Sequence, residues 1–497
     1  MFHPNFLSKL SFKTFTCVLL FFAGLSCKFI EASSDKPCNL SAHIHALLES
    51  HSLKNACCGI SIVSIRKNKS VFMYREDDMF RVASNMKLVT TSAALDFLGP
   101  DFKYKTKIKS RGLIKTSGVL KGDLVIVGSG DPNISGRFFN GNITAIPQNW
   151  AFTIKDRGIH TITGDIVADD RVFDRIYTNP NWPVDQFSEW YCAQTSGLSF
   201  NDNCADITLL PDKINGTIVK LLIEPYTSYF AIFNKCVYTI NKKEHGYSIQ
   251  REPGTNRIFI NGKFWVNRKP EKNWVNINNP SLYFATVFKE TLEGSGVNIL
   301  GNVRLIDESD SVDDNFETIA ESTSTMEQTV IVTNKNSQNF YAEQILKTLG
   351  YHIKGHGSSD TGIEVLHDFL NKLGFNPDEF IIEDGCGLSK GNKLSPRILT
   401  TLLAYMYRHP CGKVLYDSLP SSAVDGGLQN RMTSPQYENR IHAKTGFIAK
   451  TSALSGYIDM PDGDTLAFSI LINDFNNLKD VLKIQDDICK TIVDCYN

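Results

Sequence analysis

Residues 84–98 are SNMKLVTTSAALDFL, a run that opens with a Ser-x-x-Lys string and is rich in helix-forming residues. Its apolar residues recur at helical spacing, which predicts a helix that packs one face against a core. Positions i and i+3 of a helix share a face, so the Lys87 amine is expected beside the Ser84 hydroxyl. A serine hydroxyl is a weak nucleophile until a base accepts its proton, and a lysine can do so when burial or a second cation lowers its pKa. The run therefore predicts Ser84 as a nucleophile and Lys87 as its base.

Two further strings, far along the chain, supply the other groups that this chemistry needs. Ser337 and Asn339 form a Ser-x-Asn string directly before a predicted amphipathic helix over 340–349. A loop or first helical turn can present such polar side chains to a site. A Lys-Thr-Gly string occurs once, at 444–446, on a predicted strand that is followed by a second strand over 452–458.

The Lys-Thr-Gly string predicts a place where a strand receives an anionic ligand. Lys444 would be the second cation near Lys87, and Thr445 adds a hydroxyl. Gly446 suits a position where a ligand must approach the backbone closely. In this order, the three strings match the SxxK, SxN and KTG set of penicillin-interacting serine enzymes.

Both serine strings also occur elsewhere in the chain. Ser-x-x-Lys recurs at 33–36, beside a predicted cleavage site, and at 64–67, across the turn of a predicted hairpin. Neither place can pack a nucleophile into a cleft, and such short strings recur by chance. Ser-x-Asn recurs at 199–201, and we prefer Ser337 because an amphipathic helix follows it directly.

Charge and the N-terminus bear on partners and compartment. With 52 Lys+Arg against 53 Asp+Glu, the chain has no basic field for nucleic acid or anionic lipid. Lys9 and Lys13 precede an apolar run over 15–25, which has the length of a signal-peptide core and is too short to span a bilayer. Residues 1–32 are therefore predicted to be a signal peptide, cleaved after Ala32, and the mature chain to be exported.

The 12 cysteines leave two alternatives open in an exported chain, disulfides or buried reduced thiols. Cys192 with Cys204, and Cys489 with Cys495, are close enough in sequence to be local pairs, but the connectivity stays open. No Cys-x-x-Cys pair occurs, so zinc is not expected, and we predict neither a metal nor a cofactor.

The length of 497 residues indicates two or three domains. Short alternating runs separated by turn signals make 101–308 β-rich, whereas helices and strands mix on either side. We predict one α+β domain, an antiparallel sheet flanked by helices, formed by 33–100 and 309–497. Two β-rich domains, one nested in the other, would be inserted over 101–308.

Two further helices are predicted in the second part of the α+β domain. Helical signal returns over 321–332. Ser395 followed by Pro396 is a helix start, an N-cap with proline at the first helical position, and it leads into 398–407.

Beyond the three strings, the chain resembles the class C low-molecular-mass penicillin-binding proteins, D-alanyl-D-alanine carboxypeptidases/endopeptidases of the penicillin-binding protein 4 type. Similar segments extend over nearly the whole mature chain, at 86–91, 120–124, 130–132, 199–203, 339–344, 384–385, 387–389 and 452–457. The 253-residue separation of Ser84 and Ser337 also fits, since this class carries two extra domains between those motifs. The resemblance settles the choice of Ser337 over Ser199. It implies a penicillin-binding/β-lactamase-like transpeptidase domain and the periplasm or cell envelope of a bacterium.

The resemblance also implies a reaction. Ser84 would attack the carbonyl between the terminal D-alanines of a peptidoglycan stem peptide, or a D-alanyl cross-link, and water would then release the acyl-enzyme. Lys87 would take the Ser84 proton, and Ser337 would pass it to the leaving amine with Lys444 nearby. Asn339 would orient the substrate amide and Lys87.

Substrate binding is implied in the same way. Lys444 and Thr445 would hold the terminal carboxylate, beside Gly446 on the same strand. Backbone N–H groups of Ser84 and Phe447 would form the oxyanion hole. β-Lactams imitate the D-Ala-D-Ala end, so slow deacylation would make them inhibitors.

Three residues depart from the family pattern. Phe447 stands where threonine commonly follows Lys-Thr-Gly, Cys386 where serine is frequent, and Lys390 where arginine is frequent. Lys390 keeps the charge but loses bidentate geometry. The preferred residue at the third stem position is left open, as are the balance of carboxypeptidase and endopeptidase action and the oligomeric state.

Two other functions use the same strings. A β-lactamase or esterase would need a deacylating base, and no distinct glutamate motif lies between Ser84 and Ser337. A penicillin-binding protein without turnover could act as a scaffold, yet all the catalytic residue types are present. The expected partners are peptidoglycan stem peptides, cross-links and β-lactams, with no nucleic acid, and with a peripheral association with the membrane as a further expectation.

Overall fold

The computed structural model describes residues 39–49, 53–311 and 316–496. In these ranges the helices are α1 (Leu40–Leu48), α2 (Met86–Phe97), α3 (Ala145–Asp156), α4 (Pro280–Gly294), α5 (Met326–Lys335), α6 (Asn339–Lys354), α7 (Ser359–Lys372), α8 (Pro396–Arg408), α9 (Gly412–Ser418) and α10 (Leu478–Asp494). The strands are β1 (Cys57–Ser64), β2 (Lys69–Tyr74), β3 (Phe80–Arg81), β4 (Lys103–Ile114), β5 (Val119–Val127), β6 (Thr161–Ile162), β7 (Ile166–Asp169), β8 (Cys204–Leu210), β9 (Lys220–Glu224), β10 (Ala231–Thr239), β11 (Gly246–Arg251), β12 (Arg257–Trp265), β13 (Glu271–Asn276), β14 (Asn298–Ile299), β15 (Val303–Leu305), β16 (Thr318–Thr325), β17 (Lys393–Leu394), β18 (Ile441–Ile448), β19 (Thr451–Asp459) and β20 (Thr465–Asn473). The predicted signal peptide over 1–32 and the Ser-x-x-Lys string at 33–36 lie outside the described residues.

A five-stranded antiparallel sheet, in the order β18-β19-β20-β1-β2, unites the two ends of the described chain. Successive side chains of a strand point to opposite faces, and those of β19 and β20 alternate between two separate hydrophobic cores. One core contains α2 and α8, and the other contains α1 and α10. The sheet is thus covered by helices on both faces, which confirms the predicted α+β class.

Three further sheets lie between β3 and α5, and they confirm that this part of the chain is β-rich. Their orders are β10-β12-β11, β13-β8-β9 and β14-β6-β5-β4-β16, the last also holding β7 and β15. They share a hydrophobic core with α3 and α4. Because β16 pairs with β4, this last sheet extends past residue 308. The division into 33–100, 101–308 and 309–497 stays a prediction.

Local signals account for most helix boundaries. Ser395 caps α8, accepting the backbone N–H of Ile398, with Pro396 at the first helical position as predicted. A helix was also expected over 321–332, and this prediction is wrong for residues 321–325. There β16 continues to Thr325, whose hydroxyl forms a capping box with Gln328 that begins α5.

The cysteines do not form the suggested local pairs. Cys192, Cys204 and Cys489 are buried free thiols, so Cys192–Cys204 and Cys489–Cys495 are both wrong. Cys495 is disulfide-bonded, and its partner is none of the free cysteines of the described ranges. Within the part of the chain that the structure describes, no helix has the length and apolar character needed to cross a membrane.

Candidate active site

Ser84 lies in a single 3-10 turn, Ala83–Asn85, directly before α2. Ala83 has a φ of 45°, a left-handed conformation that residues with a Cβ rarely adopt. Glycine at two positions allows other segments of the chain to pack closely against the backbone of this turn. A Cβ at Gly387 would lie 1.8 Å from the Ala83 carbonyl oxygen, and one at Gly446 would lie 3.0 Å from the Ser84 nitrogen. The surrounding backbone therefore holds the turn in its strained conformation.

The Lys87 amine is fully buried at a junction of three hydrogen-bond partners. Nζ lies 2.6 Å from Oδ1 of Asn339, 2.7 Å from the carbonyl oxygen of Cys386 and 3.1 Å from Oγ of Ser84. The first two groups only accept, whereas a hydroxyl can also donate. A neutral amine has two hydrogens and one lone pair, so these partners fit neutral Lys87 with its lone pair toward Ser84. Burial lowers the pKa of Lys87 and thereby favours this form.

Ser337 meets Lys444 on the other side of the cleft. Ser337 has a φ of 55°, and its hydroxyl accepts a 2.8 Å hydrogen bond from Nζ of Lys444, which also donates to the Thr445 carbonyl at 2.8 Å. Burial, and then the nearby Lys87 amine, lower the pKa of Lys444 well below its usual value. Each lysine opposes protonation of the other, so a charged Lys444 favours a neutral Lys87.

Asn339 connects the two parts of the site. It is the first residue of α6, and its Nδ2 donates to the Tyr191 carbonyl at 2.9 Å while Oδ1 accepts from Lys87. Both ends of the amide are therefore engaged, and the side chain is held in one orientation. The structure brings together Ser84, Lys87, Ser337, Asn339 and Lys444, which the sequence predicts as one set.

The outer edge of β18 faces the cleft. Along this edge strand, the Ile441 carbonyl accepts from Ser422 N–H and the Ala443 N–H donates to the Pro420 carbonyl, so the main-chain groups of these odd-numbered positions point away from β19. Along a strand, the direction of the main-chain N–H and C=O groups repeats every two residues. The N–H of Phe447, another odd-numbered position, therefore also points away from β19. It lies next to Gly446, which packs against the Ser84 nitrogen. The Phe447 N–H thus points away from β19, and the oxyanion hole formed with the Ser84 N–H stays a prediction.

These groups open into a cavity of about 420 Å³. Its lining includes Ser84, Ser337, Asn339, Lys390, Phe447 and Trp190. Phe447 is 56% exposed, so it forms part of the rim of this cavity. Lys390 is also exposed at the cavity, where its charge is available to a ligand.

The competing strings lie elsewhere. Ser64 ends β1, and its hydroxyl donates to Asp464 at 2.5 Å. The Ser199 hydroxyl is buried, donates to the Ser196 carbonyl at 3.1 Å and accepts from Gln344. Both hydroxyls therefore serve local structure away from the Lys87 junction.

The sequence assigned no role to Glu343, which lies under the site. It is buried on α6, one turn after Asn339, and its Oε1 accepts the Gly385 backbone N–H at 2.8 Å. Burial, and then the nearby Asp384 carboxylate, raise the pKa of Glu343 to about 8. Glu343 thus supports the loop whose Cys386 carbonyl accepts from Lys87. In the sequence, Glu343 could have been found from its position four residues after Asn339, because this spacing places both side chains on one face of a helix.

Glu343, Asp384 and Cys386 place potential ligand atoms within 4.8 Å of one another. The Asp384 carboxylate is already engaged, because the backbone N–H groups of Gly387 and Ser389 each donate to it at 2.6 Å. The cluster is explained by its support of this loop. That no metal takes part stays a prediction.

A protein-family model, described as the D-Ala-D-Ala carboxypeptidase 3 (S13) family, matches residues 40–492. Among characterised proteins, the D-alanyl-D-alanine carboxypeptidase of Actinomadura sp. (strain R39) is 28% identical over 481 residues, covering 94% of this chain and 86% of that protein. The D-alanyl-D-alanine carboxypeptidase DacB of Haemophilus influenzae is 24% identical over 424 residues, covering 84% of this chain and 85% of that protein.

Solved structures show the same architecture. The crystal structure of penicillin binding protein 4 (dacB) from Haemophilus influenzae has a TM-score of 0.77 at 21% identity, covering 90% of this chain and 99% of that one. A complex of that protein with a β-lactam has a TM-score of 0.73 at 21% identity, with 91% and 99% covered. These likenesses confirm the expected penicillin-binding/β-lactamase-like fold.

Proposed function

The chain belongs to the D-Ala-D-Ala carboxypeptidase 3 (S13) family, and we propose that it cleaves the peptide bond after the penultimate D-alanine of peptidoglycan stems through a Ser84 acyl-enzyme. The observation that carries this assignment is the Lys87 junction. One buried amine touches the hydroxyl of Ser84, the amide of Asn339 and the backbone of the Cys386 loop. The neutral form of that amine can take the Ser84 proton.

In the acylation step, Ser84 Oγ bonds to the substrate carbonyl carbon while its proton passes to Lys87 Nζ. The N–H groups of Ser84 and Phe447 receive the developing oxyanion. The C–N bond then breaks, and the leaving amine takes a proton from the Ser337 hydroxyl, which Lys444 replenishes through their 2.8 Å hydrogen bond. The proton on Lys87 is then relayed to Lys444, which restores both lysines to their starting forms. Lys87 next takes a proton from the water that attacks the ester carbonyl carbon, and it gives this proton to Ser84 Oγ as the ester C–O bond breaks and the shortened stem is released.

Lys444 and Thr445 bind the terminal carboxylate of the substrate. An anion beside Lys444 favours its charged form and offsets the effect of burial on its pKa. Charge-assisted hydrogen bonds to a carboxylate are also the stronger ones. The substrate thereby charges Lys444 and, through repulsion between the two amines, keeps Lys87 neutral for the reaction.

Relatives support the choice of substrate and inhibitor. Two are named D-alanyl-D-alanine carboxypeptidases, and penicillin binding protein 4 from Haemophilus influenzae has been solved with a β-lactam. We extend both properties to this chain, with export to the periplasm or envelope of a bacterium as part of the proposal. The direct test is incubation of the mature protein with a D-Ala-D-Ala pentapeptide and with a fluorescent penicillin. Release of D-alanine and covalent labelling are expected, whereas rapid penicillin turnover without peptide cleavage would favour a β-lactamase.

The pH dependence of acylation tests the state of Lys87. A general base acts in its neutral form, so the acylation rate is expected to rise with pH through the Lys87 pKa. Burial lowers this pKa below the ordinary lysine value of 10.5, which moves the rise toward neutral pH. Stopped-flow labelling with fluorescent penicillin, from about pH 5 to 10, measures it. A rate that is flat or falls across the range in which the protein stays folded contradicts a neutral Lys87 base.

Gly446→Ala tests the packing of β18 against the nucleophile. The added Cβ would lie 2.9 Å from the Val82 carbonyl oxygen and 3.0 Å from the Ser84 nitrogen, so β18 must move away from the oxyanion hole. We expect the acylation rate constant to fall roughly tenfold or more. Gly294→Ala is the control, since a Cβ there meets nothing within 4 Å. An unchanged rate in Gly446→Ala would exclude this packing as a determinant of acylation.

A further inference from the structure

The proposed proton donor to the leaving group is assembled from two separate parts of the chain. Ser337 follows the end of α5, whereas Lys444 lies on β18, 107 residues further along. Their hydrogen bond of 2.8 Å therefore depends on how closely the helix end and the strand approach each other. Residues 419–428, which we call the bridging segment, follow α9 and contact both parts.

The bridging segment pairs with the first part of the outer edge of β18. Its residues 420–422 form two main-chain hydrogen bonds with residues 441–443, each of 2.9 Å, in the manner of a short added strand. At the centre of this pairing, Oγ of Ser421 and Nδ1 of His442 lie 2.8 Å apart, within hydrogen-bond distance. The pairing ends directly before Lys444, so the segment holds the strand immediately beside this lysine.

The same segment holds the end of α5. Lys335 is the last residue of this helix, and its Nζ donates to the Leu419 carbonyl and to Oδ2 of Asp425, each at 2.6 Å. A Cβ at Gly426 would lie 2.8 Å from the Lys335 carbonyl oxygen, so the two backbones are also in close contact. Lys335 is thereby held at its side chain and at its backbone, two residues before Ser337.

The segment also touches β18 directly after Lys444. A Cβ at Gly427 would lie 2.5 Å from Oγ1 of Thr445, so the Gly427 backbone packs against this side chain. A single 3-10 turn, Gly426–Leu428, therefore contacts α5 through its first residue and β18 through its second. Close-packed contacts transmit displacements, because they have little room to adjust. A shift of α5 relative to the segment thus changes the distance between Ser337 and Lys444.

We propose that the bridging segment positions the proton donor of the leaving group, and that Lys335 is the positioning residue through which the segment holds Ser337 against Lys444. This inference rests on the proposed function and extends it to residues outside the catalytic set. In that reaction the Ser337 hydroxyl gives its proton to the nitrogen of the breaking C–N bond, and the Lys444 amine gives a proton to Ser337 Oγ. Such transfers need heavy-atom distances of about 2.6–3.2 Å, so a small displacement of α5 slows them.

Lys335→Met tests this role with two substrates that differ in the leaving group. One is the D-Ala-D-Ala pentapeptide, and the other is its thioester analogue, in which thioglycolate replaces the terminal D-alanine. Both keep the same acyl group and a terminal carboxylate, but a thiolate departs without a proton, whereas the amine must receive one. We expect kcat/KM for the pentapeptide to fall about tenfold, part of the effect of about 10²–10⁴-fold that general acid catalysis supplies. The thioester value should stay within about twofold, since its acylation does not use the proton donor.

Two further variants make the comparison specific. Asp425→Asn removes the charge that pairs with Lys335 but keeps an acceptor for the Ser421 backbone N–H, and it should give the same selectivity with a loss of about threefold. Lys354→Met is the matched control. Lys354 is also the last residue of a helix and pairs with Asp368 at 2.7 Å, but it lies at the opposite end of α6 from Asn339. Its removal should change neither substrate.

An undiminished pentapeptide value in Lys335→Met overturns the proposal. An equal loss with both substrates also overturns it, because Lys335 would then support the fold or the binding of the carboxylate rather than the proton donor. If Lys335→Met does not fold, the ratio of the two substrates in Asp425→Asn decides by the same criterion. A wild-type protein that cleaves neither substrate would instead overturn the proposed function.

Discussion

Ser84→Ala is expected to lower D-alanine release from a pentapeptide by at least about 10⁴-fold, because no acyl-enzyme can form without the hydroxyl. Covalent labelling by fluorescent penicillin should disappear at the same time. The fold should persist, since Ser84 lies in a turn held by backbone packing against Gly387 and Gly446. Thermal unfolding of the variant, followed by circular dichroism, checks that expectation.

Ser92→Ala is the matched control for the nucleophile. Ser92 lies on α2, and its buried hydroxyl has no hydrogen-bond partner among the described residues. Its removal should leave labelling and peptide cleavage near the wild-type level. Labelling that persists in Ser84→Ala would assign the nucleophile to another residue, and mass spectrometry of the labelled peptide would identify it.

Lys87→Met is expected to lower the acylation rate constant by about 10³-fold, the middle of the range of about 10²–10⁴ for loss of a general base. Methionine fills the buried volume without an amine, so Asn339 Oδ1 and the Cys386 carbonyl lose their donor. Ser84 remains, and prolonged incubation should still label it slowly. The rise of the rate with pH should be lost with the base.

Loss of a buried lysine can lower the stability of the fold without any effect on catalysis. Lys87→Met therefore needs a control variant that also loses a buried lysine. Lys347→Met removes another buried lysine, which pairs with Asp174 at 2.5 Å away from the cleft. It should lower the unfolding temperature while the rate per folded molecule is kept. If Lys87→Met keeps both the rate and its rise with pH, the base is another group.

The sequence predicted those structural features that residues adjacent in the chain determine. Ser395 is the N-cap of α8 and Pro396 is its first helical residue, and both preferences act through the adjacent backbone alone. The expected helix over 321–332 was wrong at its start because β4 pairs with this segment, which no local pattern reveals. The cysteine pairs were wrong for a similar reason, since short spacing along the chain does not bring two thiols together in the fold.

By itself the sequence determined the three strings, their order, and the helical spacing that sets Lys87 beside Ser84. Only the tertiary structure decided that Lys87 is fully buried and that its other partners are Asn339 and the Cys386 carbonyl, from segments 252 and 299 residues away. The physical reason is that desolvation, which lowers the pKa of this amine, depends on how distant segments pack around it. A spacing of three residues brings the lysine to the serine, but the packing of distant segments makes it a base.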